Sequence, residues 1–177
     1  LLQNVDGSVL WLLESNKWMR DNLIKEANTR GLDSKRLVFA QMVPHELYLA
    51  QFTQADLYLD SFIYNAGATA SNALWAGLPV LTKLGRGYAA RMAGSLLQSL
   101  GLPELITTTE EAYESLALEL AKSPQKLFII KKKIADTRMS KPLFNSQLFT
   151  KHLEDGYQQI YQNYFDGNVP KTIIVEK

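Results

Sequence analysis

The chain has 177 residues, of which 46% are apolar and 21% charged, and its formal net charge is +1 at pH 7. This length allows one domain of ordinary size with its own core, and the balanced composition argues against a disordered chain. The near-neutral charge, with basic and acidic residues interspersed, argues against nucleic acid as a partner, because binding it usually needs a concentrated basic face. Because cysteine is absent, the chain has no disulfide framework, no thiolate nucleophile and no cysteine metal site.

Targeting signals are also missing from the sequence. There is no run of about 18 apolar residues, so we expect neither a membrane-spanning helix nor a membrane partner. The first residues lack the basic and apolar regions of a signal peptide. Together with the lack of cysteine, this favours a cytoplasmic location. Because the chain starts without methionine, in what reads as the end of a helix, we expect it to be a piece of a longer polypeptide.

Strand and helix patterns alternate along the chain before helices take over. The predicted strands are residues 8–13, 36–39, 57–59, 80–82 and 105–106. The predicted helices are residues 17–30, 44–54, 71–76, 88–100, 109–121, 123–139 and 146–165. The strands are short apolar runs, as expected for strands covered on both faces, and capping residues such as Asn16 and Thr109 begin helices. The apolar neighbours of Trp11, Trp18 and Trp75 predict core positions for all three.

This order of elements predicts an α/β fold, with a doubly wound parallel sheet that is Rossmann-like and a long C-terminal helix. We divide the chain into a Rossmann-like lobe at residues 1–145 and a long helix with a tail at residues 146–177, which packs on or across the lobe. Ligands of such sheets bind beyond the carboxyl ends of the strands. The loops at that edge are residues 15–17, 40–44, 60–71 and 83–87.

The loop and helix start at residues 65–72 (NAGATASN) carry the clearest sign of a ligand. Gly67, Ala68 and Thr69 have little side chain to cover the backbone N–H groups there, and Thr69 and Ser71 add hydroxyl groups. A helix N-terminus of this kind favours an anion, most often phosphate. The alternative is an ordinary helix cap with a tight turn, since the sequence matches neither a Walker A nor a dinucleotide-binding motif.

The other polar residues do not assemble a catalytic site. Arg86 lies in a glycine turn at the same edge and either reaches a phosphate or is an ordinary exposed arginine. His45 lies in a strand-end loop and can face a ligand, while His152 fits a helix surface. Because no cluster of His, Asp and Glu has the spacing of metal ligands, we predict no catalytic residue and no metal site within this chain.

Eight short motifs cover nearly the whole chain. In chain order they are SVLWLL at 8–13, RLVF at 36–39 with Pro44, ADLYLD at 55–60, YNA at 64–66, ALWAG at 73–77 with Pro79, ARMA at 90–93 with SLL at 95–97, GLPEL at 101–105 and PLFN at 142–145. In this order they resemble the O-GlcNAc transferase (SPINDLY-like) glycosyltransferase family. The resemblance implies the C-terminal, Rossmann-like half of a GT-B catalytic region, which consists of two lobes with the nucleotide sugar between them.

The resemblance also implies a ligand, a reaction and a set of site residues. The lobe would bind a UDP-sugar, with UDP-GlcNAc as the expected donor, for transfer to a Ser or Thr hydroxyl of a protein acceptor without a metal or other cofactor. Backbone groups of Met42 and Val43 would contact the uracil, with His45 nearby. The resemblance assigns the diphosphate and the ribose to one loop and the helix that follows it, at Ala66, Gly67, Ala68, Thr69 and Asn72.

Three of these residues depart from the family pattern, which is close to N-A-H-T-T-x-x-D. Gly67 stands where histidine is usual, Ala68 where threonine is usual, and Asn72 where a ribose-binding aspartate is usual. A hydrogen bond to an ionised acceptor is worth about 1.5–3 kcal/mol, against ~1 kcal/mol for a neutral one. We therefore expect the asparagine to weaken nucleotide binding by about tenfold.

Other parts of such an enzyme would lie outside this chain. The resemblance implies a first strand of this lobe with a lysine that contacts the diphosphate, an N-terminal lobe and TPR repeats. We therefore expect that the isolated chain does not transfer sugar. Two other interpretations stay open: a degenerate lobe that acts as a protein-interaction domain, and a response-regulator-like module, for which Asp56 and Asp60 are a poor acidic cluster.

Overall fold

The computed structural model describes residues 1–175; the last two residues of the predicted tail, Glu176 and Lys177, lie outside the described residues. In that range the strands are β1 (Leu10–Leu13), β2 (Leu37–Ala40), β3 (Tyr58–Leu59), β4 (Val80–Lys83) and β5 (Ile106–Thr107). The helices are α1 (Lys17–Thr29), α2 (His45–Phe52), α3 (Ala68–Trp75), α4 (Met92–Leu100), α5 (Glu110–Lys122), α6 (Pro124–Thr137) and α7 (Ser146–Phe165). The predicted α/β alternation is confirmed.

The paired strands run parallel, as the alternation of strands and helices predicts, but they form two sheets. β1 pairs with β2 from Leu10 opposite Leu37 to Leu13 opposite Ala40. β4 lies between β3 and β5 in the second sheet. Within each sheet, strands that follow one another in sequence lie side by side. The connection through α2, in contrast, does not pair β3 with β1 or β2. Within residues 1–175 the sheet is therefore interrupted between β1 and β3.

The core surrounds β4, which is covered on both faces. Val80 and Leu81 have no exposed surface, and successive strand residues point to opposite faces. On one face Val80 belongs to a cluster with residues of α3 and α4, and on the other Leu81 packs with Tyr113 and Ala117 of α5. This layering of helices on both faces is that of a doubly wound fold.

Side-chain caps fix the ends of several helices. The Asn16 carboxamide accepts the Met19 N–H at the start of α1, and the Thr109 hydroxyl accepts the Ala112 N–H at the start of α5. Gly101 ends α4 with φ +81°, a left-handed conformation that glycine adopts without strain. No helix in the described range is long and apolar enough to cross a lipid bilayer.

The tryptophans correct one prediction. Trp11, Trp18 and Trp75 are 38%, 78% and 42% exposed, so their assignment to the core is wrong. Trp11 lies on the face of β1 opposite Leu10 and Leu12, and that face stays exposed in the described part of the chain. Trp75 stacks edge-on against Phe144 at the end of α3, with a ring-centroid distance of 5.1 Å. Apolar neighbours in sequence indicated burial, but no element in the described range covers these three side chains completely.

Candidate functional site

The candidate site lies at the carboxyl ends of β3 and β4, where parallel sheets bind their ligands. Residues 60–67 connect β3 to α3, and residues 84–91 connect β4 to α4. The Asn65 N–H donates to the Ala89 carbonyl at 3.0 Å, which joins the two connections. The two glycine-containing loops predicted from the sequence are therefore neighbours in space.

Helix α3 begins three residues earlier than predicted, and this places its free N–H groups in the predicted loop. The helix starts at Ala68, and its first internal bond runs from the Ser71 N–H to the Gly67 carbonyl at 3.0 Å. The N–H groups of Ala68, Thr69 and Ala70 have no acceptor within the helix. Gly67 caps the helix without a side chain, so the Ala68 and Thr69 amides and the helix dipole remain available to an anion, whereas Ala70 is fully buried.

The hydroxyl groups and the ribose candidate lie on the same helix. Thr69 is half-buried in the first turn, and Asn72 is half-buried one turn further. Among the described residues the Asn72 side chain has no hydrogen-bond partner. A β-carbon on Gly67 would meet only the Met92 Cε atom, at an ordinary 3.6 Å, so a larger residue fits here.

Ala66 differs from the residues that follow it. Its N–H donates to the Asp60 carboxylate at 2.7 Å and is therefore not free for a ligand. Among the predicted diphosphate residues, Ala68 and Thr69 have unpaired helix-terminal amides. The geometry thus narrows the anion site to the first turn of α3.

Met42, Val43 and His45 form a second group at the carboxyl end of β2. Met42 is 81% exposed, Val43 is half-buried, and His45 is the exposed first residue of α2. The His45 ring lies 6.1 Å from the ring of Tyr48. Helix α2 packs against α3, and no hydrogen bond in the described range joins the two groups of residues.

Asp60 is a site residue that sequence reasoning weighed only as part of an acidic cluster. It is 4% exposed, and its carboxylate accepts the Ala66 N–H and the Thr82 hydroxyl. Burial raises the pKa of Asp60 above its usual range, while hydrogen bonds from Ala66, Thr82 and Ser61 act in the opposite direction. The available signal was an acidic residue directly after an apolar strand and before a small-residue loop.

Arg86 and its glycine turn complete this edge of the sheet. Arg86 is exposed, as one of its two interpretations expects. A β-carbon on Gly85 would lie 2.5 Å from the Ala90 β-carbon, so the close approach of these two backbones requires glycine. Among residues 1–175, no three His, Asp or Glu side chains come together in a group that could hold a metal ion.

The chain is similar to known glycosyltransferases over most of its length. The UDP-N-acetylglucosamine--peptide N-acetylglucosaminyltransferase of Caenorhabditis elegans is 32% identical over 167 residues, which are 94% of this chain and 14% of that protein. The probable UDP-N-acetylglucosamine--peptide N-acetylglucosaminyltransferase SPINDLY of Hordeum vulgare is 29% identical over 154 residues, or 86% of this chain and 16% of the relative. The chain thus spans less than a fifth of the length of either relative.

A solved structure shows the same fold. A mutant of the O-GlcNAc transferase of Thermobaculum terrenum superposes with a TM-score of 0.76 and 30% identity, over 85% of this chain and 30% of that one. This match confirms the predicted fold class and its relation to GT-B transferases. The sequence profile of glycosyl transferase family 41 matches residues 1–153. This chain belongs to glycosyl transferase family 41.

Proposed function

We propose that this chain is the donor-binding lobe, the C-terminal half of a GT-B catalytic region, of a protein O-glycosyltransferase, and that it binds a UDP-sugar, specifically UDP-GlcNAc. The observation that carries the proposal is the uncovered N-terminus of α3 at the carboxyl edge of a parallel sheet, inside the segment that matches family 41. The names of the relatives supply the donor and the peptide acceptor.

The proposed diphosphate contacts follow from the geometry of the loop. The N–H groups of Ala68 and Thr69 hold the phosphate oxygens, and the Thr69 hydroxyl adds a further donor. Charge develops on UDP as the sugar leaves, and amides at a helix N-terminus stabilise it without moving. This stabilisation needs no metal, in line with the expected metal-independent transfer to a Ser or Thr hydroxyl.

The nucleoside would lie between the two groups of site residues. Backbone atoms of Met42 and Val43 contact the uracil, His45 lies beside it, and Asn72 accepts or donates a hydrogen bond at the ribose. Asn72 carries no charge, and Gly67 and Ala68 provide no side-chain donor. Backbone amides therefore provide most of the donor binding in this chain.

The isolated chain is proposed to bind the donor without transferring sugar. Neither histidine of the chain lies in the first turn of α3, since His45 begins α2 and His152 lies within α7. A base for the acceptor hydroxyl would then come from an N-terminal lobe, and TPR repeats would present the protein acceptor. A cytoplasmic location is part of the same proposal.

A second candidate function is a degenerate lobe that serves as a protein-interaction domain without nucleotide. The observation that favours it is the departure from the family pattern at three positions at once, Gly67, Ala68 and Asn72. Exposed apolar residues of α7, including Phe149 and Tyr157, offer a surface for such a role. Nucleotide binding separates the two functions.

Calorimetric titration with UDP tests the proposal directly. We expect saturable binding that Thr69→Ala weakens by about five- to tenfold and Asn72→Asp strengthens by about tenfold. Thr150→Ala on α7 and Asn22→Asp on α1 make the same chemical changes on exposed surfaces elsewhere, and both should leave the affinity unchanged. Absence of binding at millimolar UDP would favour the interaction domain.

A further inference from the structure

Asp60 is a buried carboxylate without a cation. Only 4% of its surface is exposed, and none of the ion pairs formed within residues 1–175 includes it. The titratable groups that face it are the phenols of Tyr58 and Tyr113, whose pKa values burial and the Asp60 charge raise, so both are neutral. Burying an unpaired charge is costly, and stability alone would favour an apolar residue here.

Neutral donors from the loop and from β4 bind this carboxylate, and a donor from α5 binds the backbone of Asp60. The Ala66 N–H donates to Oδ1 at 2.7 Å, and the Thr82 hydroxyl donates to Oδ2 at 2.6 Å. The Tyr113 hydroxyl donates to the Asp60 backbone carbonyl at 3.1 Å. In turn, the Thr107 hydroxyl donates to the Thr82 carbonyl at 2.9 Å, which extends the network to β5.

The bond from Ala66 determines the path of the backbone into α3. It closes the loop of residues 60–66 and ends two residues before the first residue of the helix. Within the loop, the side-chain amide of Asn65 donates to the Ser61 carbonyl at 2.7 Å, and the Ser61 hydroxyl donates to the Tyr64 carbonyl at 2.6 Å. Asp60 connects this loop to β4 through its hydrogen bond with the Thr82 hydroxyl.

We propose that Asp60 is a positioning residue for the donor diphosphate. Its two oxygens tie Ala66 to Thr82, and this aims the N–H groups of Ala68 and Thr69 away from the sheet edge and toward the ligand. The inference rests on the proposed function, since it assigns a role within the same site. Asp60 touches no substrate atom itself, and its effect is transmitted through the backbone of residues 60–68. A carboxylate suits the position because it accepts two hydrogen bonds at once.

The test compares three variants by UDP titration and by amide spectra of the 15N-labelled chain. Asp60→Ala removes both acceptors. Asp60→Asn keeps an acceptor for Ala66 and turns a donor toward the Thr82 hydroxyl, so it keeps the geometry without the charge. Thr107→Val is the matched control, because it removes a buried hydrogen bond of the same network two strands away from the loop. Thermal unfolding establishes that each variant is folded at the titration temperature.

We expect Asp60→Ala to bind UDP about tenfold more weakly, Asp60→Asn to stay within about threefold of the wild type, and Thr107→Val to bind normally. Equal losses in Asp60→Ala and Thr107→Val would overturn the proposal, as would normal binding by Asp60→Ala or a tenfold loss in Asp60→Asn. If Asp60→Ala does not fold, Thr82→Val takes its place, with an expected loss of about threefold; normal UDP binding by that variant would then overturn the proposal.

The spectra keep this test separate from the proposed function. If the wild-type chain does not bind UDP, the proposed function fails, and the amide signals alone decide the role of Asp60. The positioning role then requires that Asp60→Ala shifts the signals of Ala66, Ala68, Thr69 and Ala70 while Thr107→Val leaves them in place. Unchanged loop signals in Asp60→Ala would overturn it.

Discussion

In β4, Val80, Leu81 and Thr82 have no exposed surface, whereas in β1 Trp11 and Leu13 are 38% and 53% exposed. Both strands are four residues long, have parallel neighbours and contain consecutive apolar residues, LWLL in β1 and VL at the start of β4. The difference lies in what covers them. Helices α3 and α4 pack on one face of β4 and α5 packs on the other, while one face of the β1–β2 sheet has no cover in the described range. An apolar run thus indicates a capacity for burial, and the neighbouring elements decide whether burial occurs.

The two regions are also anchored differently. Apolar packing stabilises the β3–β5 region, whereas hydrogen bonds from the Arg36 guanidinium connect the start of the chain to the β1–β2 region. The Arg36 side chain donates to the carbonyls of Leu2, Val5 and Ser8 at distances of 2.5–2.7 Å. The candidate diphosphate site is part of the well-packed region, while Met42, Val43 and His45 belong to the region with the exposed sheet. We therefore expect the diphosphate contacts to be the more rigid half of the donor site.

The largest effect is expected from matched leucine truncations in the two regions. Leu81→Ala in β4 should lower the free energy of unfolding by about 2–5 kcal/mol, because it leaves a cavity in a closed core. Leu13→Ala in β1 should change it by less than about 0.5 kcal/mol, since the side chain is already half in water. Urea-induced unfolding followed by circular dichroism measures both. Equal losses would show that the β1–β2 sheet is as well covered as the core.

An intermediate effect is expected from glycines in the loop between β4 and α4. Gly85→Ala places a β-carbon 2.5 Å from that of Ala90 and should cost about 1–3 kcal/mol of stability through the backbone shift. Gly87→Ala is the control, since a β-carbon there meets no atom within 4 Å. Thermal unfolding of the two variants checks the difference. A Gly85→Ala variant as stable as its control would contradict the close backbone approach at this edge.

The smallest effect is the pH dependence that Asp60 adds to the well-packed region. Its pKa is raised on folding, so the folded chain binds the proton more tightly than the unfolded chain. Its contribution to stability is therefore fully present below the ordinary aspartate pKa, about 3.9, and is lost as the pH rises through the raised value. Relative to Asp60→Asn, the wild type should gain stability as the pH falls through this window. A difference between the two that does not change with pH would contradict the raised pKa.

The sequence was sufficient for the local elements but not for the contacts between them. Short apolar runs and caps such as Asn16 and Thr109 located strands and helices, because these signals act within a few residues. The interruption between β1 and β3 and the exposure of Trp18 depend on contacts between elements distant in sequence. The hydrophobic pattern of a strand does not indicate which other strand pairs with it.

The candidate site shows the same division. Small residues at Gly67 and Ala68 indicated an uncovered helix N-terminus, and the structure places that terminus at the sheet edge with free amides. The hydrogen bond between Asp60 and Ala66 was not predictable, because it depends on a seven-residue loop closing onto the end of a strand. For the same reason the sequence did not separate Ala66, whose N–H is occupied, from Thr69, whose N–H is free.

The most direct measurement is a titration of the 15N-labelled chain with UDP and, in parallel, with uridine. The proposed donor lobe predicts that UDP shifts the amide signals of Ala68, Thr69 and Ala70 saturably, while uridine leaves these signals in place and shifts those near Met42 and Val43. If millimolar UDP leaves the first turn of α3 unchanged, the uncovered helix N-terminus is not a diphosphate site and the account is contradicted.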